Sequence, residues 1–140
     1  MSRTDIPTRI LRIEGAVALT AAVLVWAHAG VGSWLVFALA FFVPDISMIG
    51  YVKGPRVGAF AYNMAHTYAA PALLAVLGLS GAPSAVWRFA VVWVAHIGFD
   101  RLLGYGLKHP TGFGDTHLGV LGRASGSRPR SPEPPPRRRH

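Results

Sequence analysis

The sequence predicts an all-α integral membrane protein: a bundle of four transmembrane helices with short loops and a disordered C-terminal tail. Three observations predict it. Of 140 residues, 51% are hydrophobic and only 14% charged, whereas a soluble domain carries about a quarter charged residues. The charges gather at the ends and in short turns, leaving four apolar runs of about 20 residues, the length that crosses a bilayer. Lys and Arg flank the N-terminus, the turn between the second and third runs, and the C-terminus. The other turns lack them, apart from Arg88 just inside the fourth run. The positive-inside rule then places both termini in the cytoplasm, which four spans satisfy.

Residues 1–9 form a polar cytoplasmic N-terminus, and 10–121 form the membrane domain. The first span, about 10–29, opens with Arg12, which can snorkel to the headgroups. Glu14 lies a turn deeper, either as an interfacial neighbour of Arg12 or as part of a pocket. Ala27-His28-Ala29 resembles a signal-peptidase site, but Glu14 is unusual in a signal core and three further spans follow. His28 reads as an interfacial residue. Ser33 can cap the second span, about 34–52. Within that span Pro44 withdraws a backbone donor and is predicted to leave the Ala40 carbonyl unpaired. Beside it stands Asp45, and a kink with an acid at depth implies a cavity rather than a lipid-facing surface.

Lys53-Gly54-Pro55-Arg56 makes a tight basic turn, with Pro55 suited to the first turn of the next helix. The third span, about 56–79, carries Asn63, His66 and Thr67 on one face. Pro71 is predicted to free the Thr67 carbonyl beside His66. The fourth span, about 84–107, places His96 and Asp100 one turn apart on one face. A Gly- and Pro-punctuated loop follows, ending in Asp115-Thr116-His117. Residues 122–140 are a disordered basic tail of Ser, Pro and Arg. This tail holds more than half of the net charge of +8, so the basic pI implies anionic lipid rather than a specific nucleic acid.

At about 1.5 Å per residue, His66 and His96 both lie roughly 15 Å from the inner ends of their spans. Asp45, Asn63 and Asp100 lie roughly 9–10 Å in by the same rise. Segments far apart in sequence thus bring acids and imidazoles to the cytoplasmic half of one bundle. Ionisable groups in hydrocarbon persist where they are paired or used. The chain has no cysteine, so a metal would be held by His, Asp, Glu or backbone oxygen, ligands that suit zinc or a harder ion such as manganese.

Several runs also carry a resemblance. They are Leu11-Arg12-Ile13-Glu14-Gly15, Pro44-Asp45-Ile46-Ser47-Met48-Ile49-Gly50-Tyr51, Gly54-Pro55-Arg56-Val57-Gly58, Tyr62-Asn63-Met64-Ala65-His66-Thr67-Tyr68, the stretch from His96 to Lys108, and Phe113-Gly114-Asp115-Thr116-His117-Leu118-Gly119. Over roughly Ile10 to Leu121 the chain resembles the family of small bacterial integral membrane proteins catalogued as domain of unknown function 4260. The resemblance implies a multi-span protein of the bacterial inner membrane and no established activity. Pro44-Asp45, His66-Thr67 and Asp115-Thr116-His117 are also loosely similar to membrane-bound metal-dependent hydrolases, although the spacings depart from that group's pattern.

Three readings follow. In the first, a divalent ion sits on His66, His96 and Asp100, and Asp45 acts as ligand or base in hydrolase-like chemistry. Glu14, Asn63, Asp115 and His117 then serve as supporting or lid residues. A lipid or other hydrophobic molecule is the substrate class that the location suggests. In the second, His66 and His96 bind a b-type haem, or the acids bind an ion or protons. In the third, the polar residues form an interhelical hydrogen-bond network that only fixes packing.

Overall fold

A computed structural model describes residues 5–30, 32–111, 115–116 and 119–120. The regular structure of the described chain is helical apart from two strands of two residues each. Helix α1 spans Asp5–His28 and α2 spans Trp34–Phe41. A 3₁₀ helix runs Pro44–Lys53. Helices α3 (Pro55–Ala65), α4 (Ala69–Leu79) and α5 (Ser84–Leu103) follow. Strands β1 (Asp115–Thr116) and β2 (Gly119–Val120) pair antiparallel, and Lys108 bridges to Thr116. His117 and residues 122–140 lie outside the described residues, as does the side chain of Asp115.

The second apolar run is not one helix. Ser33 caps α2 by accepting a hydrogen bond from the Val36 N–H at 3.2 Å. The winding then tightens, and the Val43 N–H donates to the Ala40 carbonyl at 3.1 Å. The Ala40 carbonyl is therefore paired, contrary to expectation: Pro44 removes an α-type donor and a 3₁₀-type turn replaces it. With three residues per turn, side chains three apart eclipse. Ile46, Ile49 and Val52 form one exposed ridge. Asp45, Met48 and Tyr51 form another, half-buried. The 3₁₀ helix packs on α3.

The third apolar run breaks as well, at His66–Tyr68. The break leaves Pro71 in the first turn of α4, where its missing N–H leaves no helical bond unmade. The break exposes the end of α3, and α5 caps it. Trp93 Nε1–H donates to the Ala65 carbonyl at 2.6 Å, and the Arg101 guanidinium reaches the His66 carbonyl at 3.5 Å.

Helix α5 is the hub against which α1, α2 and α4 pack. It meets α1 at Gly98 and Gly15. A Cβ on Gly98 would lie 2.7 Å from the Gly15 carbonyl oxygen and from the Leu19 nitrogen. Trp26 and Val92 are buried together, with Phe37, Phe41 and Trp87 packed around them. Between α1, α4 and α5 runs an apolar groove of about 330 Å³, lined by residues including Ala18, Ala22, Tyr68, Pro71 and Val94.

Helix α5 ends at Gly104, whose φ of 92° is the left-handed conformation that glycine adopts without strain. The Tyr105 N–H returns to the Asp100 carbonyl at 2.8 Å, a Schellman-type closure. This turn sends the chain back toward α3, where Asn63 receives it. The Asn63 amide donates to the Lys108 carbonyl at 2.9 Å and accepts the Lys108 N–H at 2.7 Å.

The runs Ile6–His28 and Trp34–Lys53 are long and apolar enough to cross a membrane. Large apolar side chains point outward along α1, α2, the 3₁₀ helix, α3 and α4. Extended apolar surface of this kind marks contact with a membrane, a partner or a ligand.

Candidate metal centre

Three segments deliver the central groups. Asp45 comes from the start of the 3₁₀ helix, His66 from the break after α3, and His96 with Asp100 from successive turns of α5. The 3₁₀ winding lengthens the rise from Asp45 to Val52, which at about 2.0 Å per residue is roughly 14 Å, rather than the roughly 10 Å of an α-helix.

The four groups converge. His66 Nε2 and His96 Nε2 are 3.1 Å apart. Asp45 Oδ1 lies 3.5 Å from each of them. Asp100 Oδ2 lies 3.5 Å from His66 Nε2 and 3.9 Å from His96 Nε2. Both imidazole side chains are closed off, at 3% and 2% exposure, while Asp45 remains 39% exposed. The cluster is thus open on the Asp45 side.

Tyr62 sets the His66 ring in two ways. Its Nδ1 lies 2.9 Å from the Tyr62 carbonyl oxygen. A carbonyl only accepts, so the proton of neutral His66 sits on Nδ1 and the Nε2 lone pair faces the cluster. The Tyr62 ring stacks on the imidazole at 3.7 Å with 12° between planes. The Tyr62 hydroxyl donates to Asp100 Oδ2 at 3.0 Å. Phe41 holds the His96 ring edge-on at 5.0 Å. His96 Nδ1 is buried without a hydrogen-bond partner among the described residues.

The triangle of Asp45 Oδ1, His66 Nε2 and His96 Nε2 has the size of a metal-ligand face. For bonds of 2.0–2.1 Å, tetrahedral geometry separates ligand atoms by roughly 3.3–3.4 Å, against 3.1, 3.5 and 3.5 Å here. A point about 0.6 Å above the plane is about 2.05 Å from all three atoms, the ordinary length for zinc with nitrogen and oxygen ligands.

The structure brings together Asp45, His66, His96 and Asp100. Asn63 sits alongside, but both ends of its amide hold the Lys108 backbone. Glu14 is exposed on α1, outside the converging group. Asp115 is placed by its backbone only, pairing with Val120.

Sequence reasoning gave no site role to Tyr62, Lys108 or Phe41. Tyr62 precedes His66 by four residues, a spacing that places them together. Lys108 gave no such signal, because its position depends on the turn at Gly104. Its ammonium lies 4.6 Å from the Tyr62 ring centroid and 5.8 Å from that of Tyr51. Burial pushes the Lys108 pKa down, while Asp100 and Asp45 pull it up.

No curated protein and no solved structure matches the chain. The profile of one family does, over residues 8–121, covering the helical bundle apart from the first three residues of α1. The chain therefore belongs to the family described as domain of unknown function 4260.

Proposed function

We propose that this chain is a multi-pass membrane protein, with both termini cytoplasmic, that holds one divalent metal ion on Asp45, His66 and His96 and uses it for hydrolysis. The observation that carries the metal reading is the size of the Asp45–His66–His96 triangle, drawn from three separate helical segments. The Tyr62 carbonyl supports it by fixing the ligating tautomer of His66, a usual arrangement around protein-bound metals. Zinc or manganese suits these donors. The outward apolar side chains and the basic turn at Lys53 and Arg56 support the membrane topology.

The geometry favours exchanging the roles that spacing suggested for the two acids. Asp45 is equidistant from both imidazoles and acts as ligand. Asp100, oriented by the Tyr62 hydroxyl, acts as base. An ion held there would supply an activated water, whose proton Asp100 would accept as the water oxygen attacks the electrophilic centre of an ester. Asp100 returns the proton to the leaving oxygen as the ester bond breaks. The Asp45 side is where substrate enters, from the inner leaflet.

One observation favours a second reading. At 3.1 Å a neutral His96 can donate from Nε2 to His66 Nε2, giving a network that only fixes packing. The same short separation weighs against a haem between the two rings.

The test is elemental analysis and an absorption spectrum of protein purified in mild detergent, beside a His66→Ala/His96→Ala variant. Near-stoichiometric zinc or manganese, lost in the variant while the protein still inserts, is the expected result. Folded wild type with neither metal nor haem would leave the packing network as the account. A Soret band would establish the haem reading instead.

A further inference from the structure

The 3₁₀ helix and α3 pack side by side and run in opposite directions, joined at Gly54, whose φ of 112° turns the chain. Two contacts show how they are aligned. Near the turn, the Tyr51 ring rests on Gly58, where a Cβ would overlap the ring carbons. At the far end, Asp45 Oδ1 meets His66 Nε2 at 3.5 Å. Between these contacts each helix presents one row. Asp45, Met48 and Tyr51 recur every three residues, which eclipses them along a 3₁₀ helix. Gly58, Tyr62 and His66 recur every four, along one face of α3 and its cap, and all three are buried.

The two rows are equal in length. Six residues from Tyr51 to Asp45 rise roughly 12 Å at about 2.0 Å each. Eight residues from Gly58 to His66 rise roughly 12 Å at about 1.5 Å each. A row that starts on Gly58 therefore ends at His66. Wound as an α-helix, the six residues would rise only roughly 9 Å and turn Asp45 about a third of a turn off the row. That shortfall exceeds a zinc–carboxylate bond of about 2.0–2.2 Å, so the carboxylate would leave the cluster. A side chain at position 58 would act on the other end of the row, lifting Tyr51 off α3.

We propose that Gly58 and Tyr51 are positioning residues for the metal ligand Asp45. The ring seated on the glycine sets the register in which the 3₁₀ helix carries its carboxylate to His66 and His96. This rests on the metal reading given above. Both residues act through Asp45, roughly 12 Å further along the 3₁₀ row.

The experiment uses the full chain in mild detergent. Zinc affinity is measured by competition with a chromophoric chelator, and folding by the unfolding midpoint of the metal-free protein. Gly58→Ala is expected to bind zinc roughly ten- to hundredfold more weakly, as happens when a residue that orients a ligand is lost. Asp45→Ala keeps both imidazoles and Asp100, so a weaker zinc site remains to be measured. In that background Gly58→Ala is expected to change zinc affinity by less than about twofold, because the ligand it acts through is gone. Equal weakening in both backgrounds would overturn the proposal and make Gly58 a support of the whole bundle. Unchanged affinity in folded Gly58→Ala would also overturn it. Tyr51→Leu removes the ring without creating overlap, and carries the test should Gly58→Ala fail to fold. It is expected to weaken zinc binding to the same degree, whereas Tyr51→Phe keeps the ring and the affinity. Wild-type affinity in Tyr51→Leu, or its loss in Tyr51→Phe, would overturn the role of the ring. Wild type that binds no zinc would instead remove the metal reading itself, and this inference with it.

Discussion

Replacing Asn63 with leucine tests whether the segment after α5 is latched to α3. The side chains are similar in size, so the change removes hydrogen bonds with little change in volume. Two are lost, at 2.9 and 2.7 Å. Each contributes about 1 kcal/mol net, and a buried group left unpaired costs about 1–3 kcal/mol. Lys108 is buried, so its N–H and C=O do not simply turn to water. The latch should weaken by about 2–4 kcal/mol, which raises the open population roughly 30- to 700-fold at 1.4 kcal/mol per decade. Amide hydrogen exchange reads this directly. Peptides covering 105–111 should exchange faster by that factor, while those from the middle of α5 keep their protection. Asn63→Asp keeps the acceptor but loses the donor, and should fall between. Unchanged exchange at 105–111 in Asn63→Leu would refute the latch. Equal acceleration throughout α5 would show that Asn63 supports the bundle rather than the segment.

Other perturbations report on other parts of the structure. Gly98→Ala places a Cβ 2.7 Å from the Gly15 carbonyl oxygen and should destabilise the bundle by about 1–3 kcal/mol, seen as a lower unfolding midpoint in detergent. Trp93→Phe strips the Ala65 carbonyl of its 2.6 Å partner and should cost about 1–3 kcal/mol in the same assay. Tyr62→Phe removes the hydroxyl on Asp100; metal content should persist while hydrolysis slows, which separates a base-orienting role from a ligand-holding one. Ile46→Arg tests the membrane reading by sign. Near the centre of a span an arginine disfavours insertion by about 2.5–3.5 kcal/mol, so the protein should leave the membrane fraction. On a water-facing surface the same exposed position would tolerate it.

The legible part of the fold was its helical character and the turns between apolar runs, because length, charge and glycine or proline punctuation act locally; the outer ends differ, with α1 starting at Asp5 rather than about 10 and α5 ending at Leu103 rather than about 107. The convergence of His66 and His96 followed from equal depth in neighbouring runs. The winding within a run was harder to read. Pro44 announced a disturbance, yet hydrophobicity alone does not distinguish α from 3₁₀. The strict three-residue spacing of Ile46, Ile49 and Val52 was the available signal. The contacts of Trp93, Arg101 and Lys108 with α3 were not legible in the sequence. Their contacts depend on how α5 meets the end of α3 and on the reversal at Gly104, which are tertiary outcomes. Asn63 was read as a supporting site residue because it shares a face with His66, but the structure uses both ends of its amide on the chain returning from α5.

The break at His66–Tyr68 separates two mechanical duties. A membrane helix adapts to bilayer thickness by tilting, which on a continuous rod would displace any ligand it carries. Here α4 faces the outer half of the proposed span, while the His66 carbonyl and ring are held by α5 and by the last turn of α3. The non-helical residues 66–68 separate the two. In a chain that spans the membrane as proposed, a change in the tilt of α4 would be taken up there, and the spacing of Asp45, His66, His96 and Asp100 would be insensitive to the thickness of the membrane around them.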